Sequence, residues 1–180
     1  RELAQRAKCA SNQRQMGMVL LEYVEDYGDW IFGNFQITVG TGKAPWTWVL
    51  AKTTPLIVYG NEIRKPSSIT YCPSTRETTW TACTDVGWNN SIGTQAQLGR
   101  IRAYDNKDAE FVKYGSIKSL STIALLGDAE TARYRIQPCS APGRTYPLGA
   151  DFRHADGLNM LFADGHVEHL QKSLVLYWNT

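Results

Sequence analysis

The chain has 180 residues, enough for one domain with a real core. Its net charge of +2 and charged fraction of 20% exclude a strong field directed at nucleic acid or an anionic membrane. It holds no run of about 18 apolar residues, the length a membrane-spanning helix requires. Six Trp and nine Tyr make it rich in aromatics, and its fifteen Gly and seven Pro fall mostly after residue 28. That distribution predicts one helix followed by a loop-rich β region.

Residues 1–27 contain no proline and carry Leu3, Ala7, Ala10, Met16, Leu20, Tyr23 or Val24, and Tyr27 at spacings of three and four. The pattern predicts a single helix with these residues on its buried side. Gly28 follows as a natural left-handed stop. Arg1-Glu2-Leu3 offers no capping side chain and no initiator Met, so the helix reads as the continuation of one that starts upstream. Gly17 costs about 1 kcal/mol against Ala inside a helix and is expected to permit close packing against the sheet. Glu22, Glu25 and Asp26 read as a solvated face rather than as catalytic carboxylates.

Trp30, Phe32 and Phe35 either start a strand or cover the helix. Gly40-Thr41-Gly42-Lys43 lacks the earlier glycine of a phosphate loop, where Ile37 stands, and is followed by Ala44 instead of Ser or Thr; a P-loop is excluded. Ala44–Lys52 suits a short helix with Pro45 near its first turn and with Trp46 and Leu50 on its buried face. Ser68–Ser74 alternates like a short strand stopped by Pro73. Residues 75–116 read as an irregular excursion, and Ile117–Asp128 as a strand ending in Gly127-Asp128. Residues 129–150 form a Pro/Gly-rich loop.

Ala-Asp-Gly occurs twice, at 155–157 and 163–165. Asp-Gly between apolar residues predicts a type I′ turn, so Leu158–Ala163 and His166–Leu170 pair around Asp164-Gly165. That register sets Phe162 opposite Val167 and Met160 opposite His169, with Leu161 and Glu168 on the other face. The first Asp-Gly turns the chain into this hairpin from Phe152-Arg153-His154. Leu174–Trp178 reads as a last strand or a packed tail.

Cys9, Cys72, Cys83 and Cys139 form no Cys-x-x-Cys and have no histidine at zinc-finger spacing. Well separated in a loop-rich chain, they predict an oxidising compartment and up to two disulfides, with all three pairings open. His154, Asp128, Asp164 and His166 are the candidate metal ligands, with Asp156 and His169 nearby. No Asp-x-Asp-x-Asp-Gly and no His-Glu-x-x-His is present, so turn chemistry and hydrogen bonding are their expected roles, and no resident metal or cofactor is expected. His154 is expected to bond backbone at the hairpin and hold the loop before Leu158. No nucleophile motif is present and no catalytic residue is assigned: the chain reads as not an enzyme.

His154, nine residues and then Asp164-Gly165, closing in Phe162-Ala163-Asp164-Gly165-His166-Val167-Glu168, resembles the C-terminal signature of a large bacterial group of pilin-like proteins. Their precursors carry a prepilin-type cleavage and methylation segment. Cys9-Ala-Ser-Asn12-Gln-Arg14-Gln15-Met16-Gly17 resembles the group's Cys-x-x-Asn-x-Arg-Gln-x-Gly, and Cys72-Pro73-Ser74 its Cys-Pro-Ser element. Tyr23, Asp26 and Gly28 fit a Tyr-x-x-Asp-x-x-Gly region with the glycine one place early. Gly87-Trp88-Asn89 is similar to a Tyr-Gly-x-Asn stretch with Val86 in place of Tyr, and Leu120 replaces the Pro of a Pro-Ser-x-Thr strand.

The resemblance implies an α+β pilin or pseudopilin fold: a long N-terminal helix (1–28) packed on a small antiparallel sheet within a β-rich region (29–180) that carries a loop-rich insertion. It implies a Cys9–Cys72 bridge, and His154, Asp164 and Gly165 as a structural motif. Ca²⁺, which some pseudopilins bind in C-terminal loops, is the ion it leaves open. The implied function is a structural subunit of a type II secretion-like pseudopilus or type IV pilus-like filament in the bacterial cell envelope. An apolar segment ahead of Arg1 would tether it in the inner membrane. Its partners would be other subunits and the assembly platform, without nucleic acid. The alternative is a membrane-tethered envelope domain that binds glycan, through its tryptophans, or metal.

Overall fold

The structure, a computed structural model, describes residues 1–33, 36–57, 68–75, 86–89, 111–129, 135–136 and 150–175. It is α+β: an N-terminal helix lies against small sheets whose pairing is mostly antiparallel.

Helix α1 runs Glu2–Asp26 without a side-chain cap at its start. It ends in a Schellman motif, in which Asp29 N–H donates to Val24 O at 2.8 Å and Gly28 N–H to Glu25 O at 3.4 Å. Gly28, at φ +66°, supplies the left-handed residue that this geometry needs. The buried stripe of α1 is Cys9, Asn12, Gln13, Met16, Gly17, Val19, Leu20, Tyr23 and Val24. Its first half differs from the expected one. Leu3 is 70% exposed, Ala7 is exposed and Ala10 is half-buried, because the side chains of Cys9, Asn12 and Gln13 find partners inward; Tyr27, at the C-cap, is exposed as well.

After α1 come β1 (Trp30–Phe32), the hairpin β2 (Gln36–Val39) and β3 (Gly42–Pro45), and α2 (Trp46–Thr53). Gly40-Thr41 is the hairpin's turn, joining Val39 to its partner Gly42. Trp46 and Leu50 are fully buried on one side of α2, as their spacing predicts. Then follow β4 (Val86–Asn89), β5 (Phe111–Lys113), β6 (Ala124–Asp128), β7 (Arg135–Ile136), β8 (Gly157–Phe162), β9 (Val167–Gln171) and a short α3 (Lys172–Val175). β1 pairs with β5, and the main sheet has the order β7-β4-β6-β8-β9, antiparallel except for the parallel pair β4/β7. β4, β5 and β7 thus fall in stretches expected to be irregular, and α3 covers Leu174 and Val175, the start of the segment expected to be a last strand or a packed tail. Phe35 and residues 176–178 lie outside the described residues.

Two further readings change. Ser68–Ser74 is a pair of turns, not a strand: the Ser68 hydroxyl takes the Thr70 N–H, and Tyr71 N–H bonds Ser68 O at 3.1 Å. Side chains there supply the partners a strand would seek in a ladder. Only Ala124–Asp128 of the 117–128 stretch is strand; Leu120–Thr122 is a short 3₁₀ turn after Ser119, which sits at φ +57°. The Thr122 N–H and hydroxyl both bond Ser119 O, so local serine/threonine chemistry outweighs β propensity.

The central strands β6 and β8 are buried along their whole lengths. Alternation on β8 sends Leu158, Met160 and Phe162 into a small apolar cluster with Ala124, Ala129, Ala150 and Leu170. Leu161 instead joins the main core with Met16, Leu20 and Tyr23 of α1, Phe32 of β1, and Trp46 and Leu50 of α2. Gly17 allows this approach: a Cβ there would stand 3.0 Å from Leu161 Cδ1.

The β8–β9 hairpin forms, but one residue away from the expected register. Leu161 faces Val167, Met160 faces Glu168 and Asn159 faces His169. The turn is the cause. Gly165 N–H bonds Phe162 O at 3.0 Å, and only Gly165, at φ +89°, is left-handed, so a type I turn with a glycine bulge adds a residue to the loop. The type I′ geometry occurs instead at the first Ala-Asp-Gly, where Ala155 (φ +49°) and Asp156 (φ +56°) join the bridged pair His154 and Gly157.

Filling the Gly17 approach should be costly: Gly17→Val is expected to lower stability by about 1–3 kcal/mol through overpacking on Leu161. Gly165→Ala should cost about 1–2 kcal/mol through the left-handed backbone alone. Urea denaturation followed by circular dichroism checks both, and an unchanged midpoint for Gly17→Val would remove the close helix–sheet contact.

Candidate functional site

Beneath the first half of α1 lies a buried polar cluster. Asn12 and Gln13 lie three and four residues after Cys9 and so share a helix face with it. Cys9 is bonded to Cys72, with Cα atoms 5.4 Å apart. Asn12 Nδ2 donates to Tyr71 O at 2.8 Å, and Gln5 Nε2, a turn earlier, to Pro73 O at 3.2 Å. The Cys-x-x-Asn and Cys-Pro-Ser segments therefore meet side by side. Gln13 Nε2 reaches the sheet, donating to Asp128 Oδ1 at 3.0 Å and Asn159 O at 3.2 Å.

Asp128 ends β6 and is buried to 1% exposure. Its Oδ2 accepts the Asn159 N–H at 2.7 Å and stands 3.6 Å from His154 Nε2. The His154 ring is wholly buried, with Nε2 3.5 Å from Cys72 Sγ and Nδ1 3.5 Å from Ser74 Oγ. Nε2 thus faces the disulfide sulfur and the Asp128 carboxyl, and Nδ1 faces the Ser74 hydroxyl, which can donate or accept. Only the backbone of His154 bonds the hairpin, pairing with Gly157; its side chain serves this cluster instead of the loop backbone. Arg153 closes one side, bonding Thr75 Oγ1 and Ala129 O and pairing with Asp151 at 2.8 Å.

Burial pushes the Asp128 carboxyl up to about 7, against the pull of the Arg153 guanidinium and the Asn159 N–H. Burial also holds the His154 imidazole down at about 4, helped by Arg153, His169 and Arg6 and opposed by Glu2. The two groups are therefore no ion pair. Between those values both are neutral, and above them Asp128 alone is charged.

The four candidate metal residues divide. His154 and Asp128 meet in the cluster, whereas Asp164 and His166 bond each other at the far end of β8, where both are exposed (Asp164 Oδ1 to His166 Nδ1, 2.5 Å). The nine-residue spacing from His154 to Asp164 spans a turn, one strand and the next turn, so the length of β8 holds them roughly 20 Å apart. Cys9, Cys72, Asp128 and His154 instead place one ligand atom each within 4.8 Å of one another. Sequence spacing hides this set, because its members lie in four separate segments; Gln13, Asn159 and Arg153 carried no signal beyond polarity. Cys83 and Cys139 lie outside the described residues.

Other candidate surfaces offer less. Glu22, Glu25 and Asp26 are exposed along α1. Trp46 is buried, while Trp30, 42% exposed, has Lys113 Nζ 4.5 Å above its ring and Trp48 has Lys52 Nζ at 5.2 Å. Compared with family models, curated proteins and solved structures, the chain matches none of them.

Two outcomes are expected from the cluster. Replacing both Cys9 and Cys72 by Ser should cost about 2–5 kcal/mol, read as a lowered urea midpoint, since the bridge closes a loop with a sequence separation of 63. The pH dependence should be paired. Unfolded Asp and His titrate near about 3.9 and 6.5. Asp128, raised on folding, contributes stability that is intact below the unfolded value and lost as pH rises from about 4 to about 7. His154, lowered on folding, contributes stability that is intact above its unfolded value and lost as pH falls towards about 4. The slopes oppose each other in the wild type. His154→Gln should therefore lose stability as pH rises through that window and Asp128→Asn as it falls, and identical slopes for all three chains would refute the pairing.

Proposed function

We propose that the chain is the soluble part of a pilin- or pseudopilin-like structural subunit. It would serve in a type II secretion-like pseudopilus or a type IV pilus-like filament of the bacterial cell envelope. The observation that carries this reading is the outer side of α1. Leu3 (70% exposed), Met18 (63%) and Leu21 (39%) stay uncovered on a helix whose opposite stripe is committed to its own sheet. A subunit that bundles helices with its neighbours needs such a side. The meeting of the Cys-x-x-Asn and Cys-Pro-Ser segments, and the strand-length spacing between His154 and Asp164-Gly165, give the resemblance a physical rationale in this chain. Its partners would be further copies or related subunits and the assembly platform, reached through an apolar segment ahead of α1.

The test has two parts. The gene encoding the residues before Arg1 is expected to carry a Gly-Phe-Thr-Leu-x-Glu leader and an apolar stretch of about 20 residues. A photo-crosslinking residue at position 18 in the full-length protein, expressed in its host, is expected to give a ladder of covalent multimers. A polar upstream sequence, or crosslinked species no larger than the monomer, would overturn the proposal.

A further inference from the structure

Nothing in the filament reading requires four metal-binding side chains to converge under α1, yet they do. Cys9, Cys72, Asp128 and His154 are each at most 2% exposed, and their ligand atoms lie within 4.8 Å of one another. A tetrahedral zinc centre with Zn–S of about 2.3 Å and Zn–N or Zn–O of about 2.0 Å has edges of about 3.3–3.6 Å from nitrogen to oxygen or sulfur. The His154 Nε2 distance of 3.5 Å to Cys72 Sγ matches the nitrogen–sulfur edge, and that of 3.6 Å to Asp128 Oδ2 lies about 0.3 Å outside the nitrogen–oxygen edge, within reach of a small carboxylate rotation.

Outer partners are in place as well. Ser74 Oγ stands at His154 Nδ1, the nitrogen turned away from the cluster. Its hydroxyl can donate to Nδ1 while Nε2 holds the proton, or accept from Nδ1–H once Nε2 binds a metal. Asp128 is oriented by Gln13 Nε2 and by the Asn159 N–H. Two thiolates, one carboxylate and a neutral imidazole around a divalent cation leave a net charge of −1. The guanidinium of Arg153, paired with Asp151, lies close enough to act on both Asp128 and His154.

We propose that this cluster has two alternative closures: the Cys9–Cys72 disulfide when oxidised, and a Cys₂-His-Asp site for a thiophilic divalent cation of the zinc type when reduced. In the change, a dithiol reductant supplies two electrons and two protons. The Cys9–Cys72 bond breaks, each sulfur takes one proton, and the reductant becomes a disulfide. Binding of the cation then releases the two thiol protons and, where Asp128 is neutral, its carboxyl proton to solvent; the ring proton of His154 sits on Nδ1, leaving Nε2 and a carboxylate oxygen of Asp128 to bind the cation. In either closure α1 stays fastened to the 71–75 turn, so the cation substitutes for the covalent link. This inference is independent of the filament reading and survives or fails separately.

Cobalt alone, used as a spectroscopic stand-in for zinc, tests it on the purified full chain reduced with a phosphine under anaerobic conditions. The reduced chain is expected to bind one Co²⁺ with tetrahedral d–d bands and a thiolate-to-cobalt charge-transfer band, displaced by Zn²⁺; the oxidised chain should bind none. Asp128→Asn and His154→Gln should each weaken binding by at least about tenfold, and Ser74→Ala, which leaves all four ligands in place, by about tenfold. A chain with Cys83→Ser and Cys139→Ser should bind as the wild type does. Should reduction unfold the chain, restoration of its circular dichroism by one equivalent of Zn²⁺ supports the site, and failure to refold overturns it. No uptake by a folded reduced chain, equal uptake by the oxidised chain, uptake lost with Cys83 and Cys139, or binding untouched by both ligand substitutions would each overturn it.

Discussion

The fastening of the polar stripe of α1 to the rest of the chain is the constraint on which the structure depends. Most of a helix's stability in a protein comes from packing rather than from its own propensity, and α1 begins without a capping side chain. Its second half is held by apolar burial, with Met16, Leu20 and Tyr23 in the main core. Its first half is held differently. Cys9 is bonded to Cys72, Asn12 to Tyr71 O, and Gln13 to Asp128 and Asn159. Three consecutive inward positions thus clamp segments that are far apart in the chain, and they free the opposite side of α1 to carry exposed apolar residues.

The clamp works because β6 and β8 are covered on both faces. A strand buried in that way has no water for any polar side chain it carries, so a group left without a partner there is costly. Asp128 is the extreme instance. Its carboxylate takes a backbone N–H from β8 and an amide from α1, which ties helix and sheet together through one side chain. The cost of burying it is visible in its raised pKa, and the neutral His154 beside it keeps the pair from adding a second buried charge. Specific geometry is thereby purchased with desolvation, and the same side chains that fasten the helix become a set of convergent ligands.

Local signals are legible where one interaction decides the outcome. Apolar periodicity without proline marked α1, and Gly28 marked its end, because only glycine enters the left-handed cap without strain. Trp46 and Leu50 marked the buried face of α2. The hairpin existed where the Asp-Gly turn placed it, yet its register moved by one, since Asp-Gly serves both a type I′ turn and a type I turn with a glycine bulge. Ser68–Ser74 and residues 117–123 misled for a shared reason: β-rich composition coincides there with serine and threonine side chains that satisfy the backbone locally.

The amino-acid sequence by itself determined the α+β class, the end of the helix at Gly28, the presence of the last hairpin and the strand-length interval between His154 and Asp164, features that rest mainly on near neighbours. Only the tertiary structure decided which side of the first half of α1 faces inward. It alone separated His154 from Asp164 and His166, and brought His154 and Asp128 to Cys9 and Cys72. Those outcomes turn on partners up to 146 residues apart, as between Gln13 and Asn159, and no periodicity encodes which distant polar group will meet another once the apolar faces have closed.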